Sequence, residues 1–222
     1  MNFFILTTGI FLAFLGPAEA QAQTTPSALQ KTLKKYAKAS SLQFDIKKTD
    51  EKVTLGTKSE SEGLLKYQKN KIYILQNGEK KTEIYYFNKS LTLVEHPDLD
   101  FGTDGKRKVT ILKNTPLPLI NSLLSLFSDT KNFNKQFLTV SERNIDGVFI
   151  VELQPQRKTD SEKIKGLILK ISNKNFELLE LSFVDDIETK TTLQFENSKI
   201  NMKMKKSEFQ YRSLKSDEVL IQ

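Results

Sequence analysis

The chain contains no cysteine and only one histidine, His96, among its 222 residues. Without cysteine no disulfide can form, so in an oxidising compartment the core alone must supply stability. A lipid anchor of the bacterial lipoprotein kind, which needs a cysteine directly after the signal sequence, is excluded as well. A zinc site wants three or four His, Cys or carboxylate ligands at set spacing, and no such set is visible. A Ser–His–Asp arrangement would have to run through His96, which stands beside Pro97 at the start of a loop, and no nucleophile-elbow motif is present. His96 is expected to be a solvated loop residue. Gly102-Thr103-Asp104-Gly105 has neither the P-loop nor the dinucleotide spacing. Asp185-Asp186 is an adjacent carboxylate pair near a strand end and reads as a turn. The chain is therefore expected to be no enzyme and to hold no cofactor or metal.

Long apolar runs are scarce too. Phe3–Leu15 is apolar, but its thirteen residues fall short of the ~20 that an ordinary membrane span needs. Gly16-Pro17 and Ala18-Glu19-Ala20 follow it, giving an h-region and a cleavage signal, with Ala20-Gln21-Ala22 as a second cut. The expectation is a signal peptide over 1–20, cleaved after Ala20 or Ala22, and one soluble exported domain over 21–222. The net charge is +7, and without Glu19 it is +8, from 34 basic and 26 acidic side chains. Such a balance suits anionic headgroups or an acidic partner. The lysines, however, are scattered through strand-like segments, as a plain solvated surface would have them. Nucleic acid is excluded as a partner by location.

What the chain does have is alternation. A helix is expected from Thr24-Thr25-Pro26-Ser27 to about Ala39, with Leu29, Leu33, Tyr36 and Ala37 on one face. Leu42, Phe44 and Ile46 then alternate with polar residues. Strands follow at Gly63–Lys69, Lys71–Gln76, Thr82–Phe87, Leu91–Glu95 and Val109–Leu112, with a loop over Pro97–Arg107. The second half repeats the pattern at Phe137–Asn144, Val148–Leu153 (joined by Asp146-Gly147), Lys165–Ser172, Phe176–Val184 and Thr189–Glu196. A last strand is expected near Ser207–Tyr211. The fold class is mainly β with α: an incomplete antiparallel β-barrel of about eleven strands, covered by lid helices.

One stretch departs from the chain's polar character. Although 27% of the residues are charged, none is charged between Lys113 and Asp129. Thr115 can cap a helix and Pro116 suits its first position. Leu117, Ile120, Leu124 and Phe127 form one apolar stripe, and Leu119, Leu123 and Leu126 a second beside it. Either this is a core helix, or it covers something greasy and removable.

The order of elements and three local motifs resemble the LolA-type periplasmic carriers of outer-membrane lipoproteins. Asn114-Thr115-Pro116 with Leu117, Leu119 and Ile120 is similar to the family's N-T-P lid helix. Phe183-Val184-Asp185-Asp186 before Thr191–Glu196 is similar to its strand, acidic turn and strand. Gly63-x-Leu65 fits its G-x-L before a turn. The chain departs from the family at Asn70, where a proline is usual, and in Lys71–Leu75, which lacks the family's arginine or tryptophan. Phe209-Gln210-Tyr211-Arg212 likewise lacks its terminal prolines.

The resemblance implies a half-barrel whose concave face holds the acyl chains of lipoproteins. It implies a monomer that takes cargo from an inner-membrane ABC-type exporter and gives it to an outer-membrane receptor. On strand parity, the cavity would be lined by Leu65, Tyr67, Ile84, Tyr86, Leu167, Leu169, Leu179, Leu181, Phe183, Leu193 and Phe195, with Leu117, Ile120 and Leu124 on the lid. Two other readings use the same half-barrel: a periplasmic sensor that binds a membrane-bound regulator, and a carrier of another amphiphile such as a glycolipid.

Overall fold

The computed structural model describes residues 27–97, 105–113, 118–128, 130–156 and 164–222. The expected signal peptide, the Asn114-Thr115-Pro116 motif and Leu117 lie outside them, as does most of the Gly102–Gly105 loop. Among the described residues, twelve strands form one open sheet that does not close into a barrel. The strands are β1 (Leu42–Lys52), β2 (Thr57–Gln68), β3 (Lys71–Asn77), β4 (Lys81–Phe87), β5 (Ser90–Glu95), β6 (Lys108–Lys113), β7 (Phe137–Ile145), β8 (Val148–Pro155), β9 (Ile164–Ser172), β10 (Leu178–Asp185), β11 (Thr189–Ile200) and β12 (Glu218–Ile221). The helices are α1 (Ala28–Ala37), α2 (Pro118–Ser128) and α3 (Thr130–Gln136).

The strand order is β12-β6-β5-β4-β3-β2-β1-β11-β10-β9-β8-β7, antiparallel except for β12 on β6. The first meander ends at β6 near one edge, and the second begins at β7 on the opposite edge. The chain must therefore cross a whole face of the sheet between them, and α2 and α3 make that crossing. The lid is a consequence of topology: the only connection from β6 to β7 runs over the apolar side. Asp146 and Gly147, both at positive φ, make the tight turn expected between β7 and β8. Asp185 accepts from the N–H groups of Ile187 (3.1 Å) and Thr189 (2.7 Å), making Asp185-Asp186 a turn.

Several expectations need correction. Among the described residues three helices are present rather than two, because Thr130–Gln136 has too few apolar residues to show a period and is set by Phe133, which is fully buried. Strands β1 and β2 run on as a long polar hairpin to Lys52 and back from Thr57, and β11 extends to Ile200. The strand expected near Ser207–Tyr211 is a 3-10 turn, Lys206–Phe209, lying on the face of the sheet away from the helices. His96 is not simply solvated: its Nε2 lies 2.7 Å from Glu83, which also accepts from the Tyr85 and Tyr73 hydroxyls.

That outer face is strapped by the C-terminal segment. Phe209 is buried against it, and Tyr211 faces Tyr85 with ring centroids 6.3 Å apart. Arg107 Nε and Nη2 donate to the two Asp217 oxygens, each at 2.8 Å, and the N–H of Leu214 donates to the same carboxylate at 2.7 Å. The Asp217 side chain is shielded from solvent. The Arg107 guanidinium holds its carboxyl well below the usual carboxylate range. A carboxyl lowered on folding contributes stability that is present above its ordinary pKa and lost as pH falls through the depressed value. The strap should thus stay docked at pH 4 and loosen only in stronger acid. Asp217→Asn should loosen it at neutral pH. Amide-exchange protection of residues 206–222 measures both, and unchanged protection in Asp217→Asn would count against this account.

Candidate functional site

The side of the sheet under the helices carries an apolar lattice set by strand register. Across β2, β1, β11 and β10 the inward residues include Leu65 and Phe44 opposite one another, Ile46 opposite Phe195, and Leu193 opposite Leu181. The lattice continues through Leu169 to Val151 and through Leu167 to Leu153. On the other side it runs from Leu65 to Ile74, Ile84 and Leu93, and from Tyr67 to Ile72, Tyr86, Leu91 and Leu112.

Phe127 of α2 is driven into the middle of this lattice. Its ring centroid lies 5.4 Å from those of Tyr36 and Tyr67 and 5.8 Å from that of Phe44, on which it stacks. Phe44 in turn meets Phe195 at 5.3 Å. Such pairs contribute ~0.5–1.5 kcal/mol each beyond the area they bury.

The two larger helices are attached in different ways. Ser27 caps α1 by accepting from the N–H of Gln30. The helix is then bonded to the sheet's far half. The Ala28 N–H donates to Glu142 (2.8 Å), Thr32 to the Phe176 carbonyl (3.0 Å), and Lys35 to the Asn175 carbonyl and Glu177 (2.8 Å). The N–H of Leu178 donates to the Tyr36 hydroxyl at 2.8 Å. Burial pushes that phenol well above its ordinary pKa, so it stays a neutral acceptor.

Helix α2 has no charge with which to form an ion pair. Ser125 bonds its own helix and Gln136 of α3, and Ser128 bonds the Leu124 carbonyl. Among the described residues, its polar link to the strands is Ser128 against the Tyr67 hydroxyl, a phenol whose pKa burial raises. The rest of its hold on the sheet is apolar contact.

The sequence-derived candidates divide accordingly. Leu65, Tyr67, Leu167, Leu169, Leu181, Phe183, Leu193, Phe195 and Ile120 are buried in one continuous cluster. Ile84, Tyr86 and Leu124 pack against that cluster but are only partly buried. Leu179 does not join it. A register shift between Leu178 and Glu180 turns Leu178 inward and leaves Leu179 37% exposed, so strand parity fails at that residue. Parity missed Leu93 and Leu112, which lie beside Ile84 and Tyr86 on the helix side of β5 and β6. Their alternation was legible; the face it pointed to was not.

Burial is uneven across the lattice. On β9, β10 and β11 the inward leucines are fully covered, whereas Ile84, Tyr86, Leu93 and Leu112 on β4–β6 and Leu119 and Leu124 on α2 are only half covered. No group of three or more metal-ligating side chains occurs among the described residues.

Residues 103–212 match the model of the family described as outer membrane lipoprotein carrier protein LolA. The chain is a divergent LolA-type protein. The match takes in α2, α3 and β6–β11. The lid motif and the Phe183–Asp186 turn fall inside it, and Gly63-x-Leu65 falls outside. The LolA family is one of carriers, not of enzymes.

No curated protein matches the chain in sequence. Among solved structures, the chain is similar to a LolA superfamily protein from Nitrosomonas europaea, at 11% identity and a TM-score of 0.41, over 83% of this chain and 96% of that one. It is similar to a conserved protein from Thermus thermophilus, at 9% identity and 0.47, over 88% and 97%. A third likeness is to a chain of the MucA/MucB complex of Pseudomonas aeruginosa, at 10% identity and 0.39, over 83% and 60%.

Proposed function

We propose that this LolA-type protein is a periplasmic carrier that holds the acyl chains of lipoproteins between its sheet and α2. It would take them from an inner-membrane ABC-type exporter and deliver them to an outer-membrane receptor. In this reading residues 1–20 are the signal peptide and 21–222 the single carrier domain. The observation that carries the proposal is the contrast between the helices: α1 is bonded to the sheet by named polar contacts, while α2 rests on it almost wholly through apolar ones. An apolar contact can be exchanged for an acyl chain with little net change, because both bury hydrocarbon. A hydrogen-bonded contact cannot be exchanged without stranding its partners.

The half-covered flank of β4–β6 is the side on which a chain would slide under α2. Ile84, Tyr86, Leu93 and Leu112 would meet it first, and the buried residues from Leu65 to Phe195 would line its path once Phe127 moved aside. Burying acyl chain gains about 0.8 kcal/mol per CH₂, so a chain of ~16 carbons is held by roughly 12 kcal/mol. Escape into water at that depth would be far too slow for transport. Cargo must pass directly to another apolar surface, where gain and loss nearly cancel.

The test is release of newly made lipoproteins from spheroplasts. The purified protein is expected to bring triacylated protein into the supernatant as a one-to-one complex. No release by a demonstrably folded chain would sink the carrier reading in favour of a regulatory module on the same half-barrel.

A further inference from the structure

Two turns carry side chains that the fold does not explain. The β1–β2 turn runs Lys52-Val53-Thr54-Leu55-Gly56, and the β10–β11 turn runs Asp185-Asp186-Ile187-Glu188. Turn positions ordinarily take small polar residues. Here Val53 is 55% exposed, Leu55 69% and Ile187 73%. The two turns form a single tip: Lys52 pairs with Thr189, the N–H of Val53 donates to the Glu188 carbonyl at 3.2 Å, and Thr54 reaches the Glu188 carboxylate. On the β1 side this tip stands well away from the core. Ile46 is the last buried apolar residue of β1, and the six residues from there to Lys52 span roughly 20 Å of strand. Between core and tip the inward positions of β1 are Lys48 and Asp50, with Thr191 of β11 donating to Asp50 at 2.7 Å. Along β1 the tip is thus set apart from the core by a polar arm, whereas on β10 its turn begins beside Ile164, which pairs with Asp185 at the end of the core.

We propose that this tip is a membrane contact, with Val53, Leu55 and Ile187 dipping into the interfacial region of a lipid bilayer. Two observations favour a bilayer over a protein partner. Lys52 and Lys190 stand at the paired strand ends just behind them, with Lys58 and Lys165 nearby, each paired to a carboxylate, Glu60 and Glu188. Of the carboxylates nearby, Asp185 caps its own turn, Glu188 bonds Lys165 and Thr54, Asp50 bonds Lys48 and Thr191, and Glu60 pairs with Lys58, while Glu51 stands exposed opposite Lys58 and Lys190. Lys52 and Lys190 have no side-chain partner among the described residues, and the chain as a whole carries +7, which favours approach to an anionic surface. The tip belongs to β1–β2 and β10–β11 and is independent of whatever α2 covers, so it would serve a carrier and a membrane-facing sensor alike.

The chain has no tryptophan, so one placed at the tip reports alone. Leu55→Trp should be prepared from cells expressing the full chain, so that the protein carries whatever N-terminus the cell leaves on it. On adding vesicles of phosphatidylethanolamine and phosphatidylglycerol, its emission is expected to shift to the blue and to be quenched by brominated acyl chains. Adding Val53→Ser and Ile187→Ser in the Leu55→Trp background should weaken that response roughly tenfold, since both positions are exposed and neither holds the fold. Three results would overturn the proposal. The emission could stay that of a solvated indole at saturating lipid. The shift could persist undiminished in the Ser variants. Or it could require a protein embedded in the vesicle, which would assign the tip to a protein partner.

Discussion

Replacing Phe127 with alanine is expected to lower the unfolding free energy by about 3–5 kcal/mol, the range for a buried phenylalanine that leaves a cavity behind. The loss should fall at the upper end, because the ring is fully buried and meets Tyr36, Phe44 and Tyr67 at once. Those partners cannot close the gap. Tyr36 is held by the Leu178 N–H, and Phe44 and Tyr67 stand on paired strands. Against a total of roughly 5–15 kcal/mol for an ordinary domain, that leaves a marginal protein. Urea denaturation measures the loss, and a change below about 1 kcal/mol would mean that α2 does not pack as described.

The same variant separates a removable lid from an ordinary dry core. If an acyl chain normally displaces Phe127, the alanine variant begins with that work already done. It should bind a medium-chain fatty acid more tightly than the parent, and the ligand should restore much of the lost thermal stability by mass action. If α2 is a permanent wall, the fatty acid should leave the melting temperatures of both chains unchanged. Ile120 is a poorer probe. It is as deeply buried as Phe127, and a charged residue there would unfold the core before it reported on the lid.

The hairpins were legible because they are local. Asp146-Gly147 and the alternation of Leu167, Leu169 and Ile171 within Lys165–Ser172 each specify a turn or a face within ten residues. The parts that were not legible are set by distant partners. β12 is a four-residue strand whose apolar residues Val219, Leu220 and Ile221 all stay exposed, and it exists because β6 offers it an open ladder. The polar half of the β1–β2 hairpin has no hydrophobic alternation and is held as strand by cross-strand pairing from Lys47–Glu62 to Lys52–Thr57. Leu179 shows the limit of parity most directly, since one irregular residue in β10 exchanged it for Leu178. The lid was visible as an uncharged stretch, but its weak polar attachment, on which the functional reading turns, could be seen only against the bonds that hold α1.

Gly63→Ala should be among the most damaging single-atom additions to this sheet. Gly63 sits in β2 between Ile46 of β1 and Gln76 of β3. A Cβ built there would lie 1.8 Å from the Leu75 carbonyl oxygen and 2.7 Å from its carbon, both backbone atoms that no side-chain rotation can clear. To admit the methyl group, β3 would have to move off β2, taking Ile74 and Leu65 out of register in the centre of the core. Overpacking a well-fitted interior costs about 1–3 kcal/mol, and a clash with backbone belongs at or above the top of that range. Gly166 in β9 provides the control. A Cβ there meets only the Leu153 carbonyl, at an ordinary 3.6 Å. Gly166→Ala should therefore be neutral, or stabilising by about 0.4–1 kcal/mol through the loss of unfolded-state freedom. Parallel urea titrations of the two variants decide the matter, and equal effects would refute the close approach at Gly63. If the contrast holds, the glycine of Gly63-x-Leu65 is explained by geometry: β2 and β3 coil against each other so closely there that no side chain fits, and that coiling helps turn a twelve-stranded sheet into a concave surface for α2 to cover.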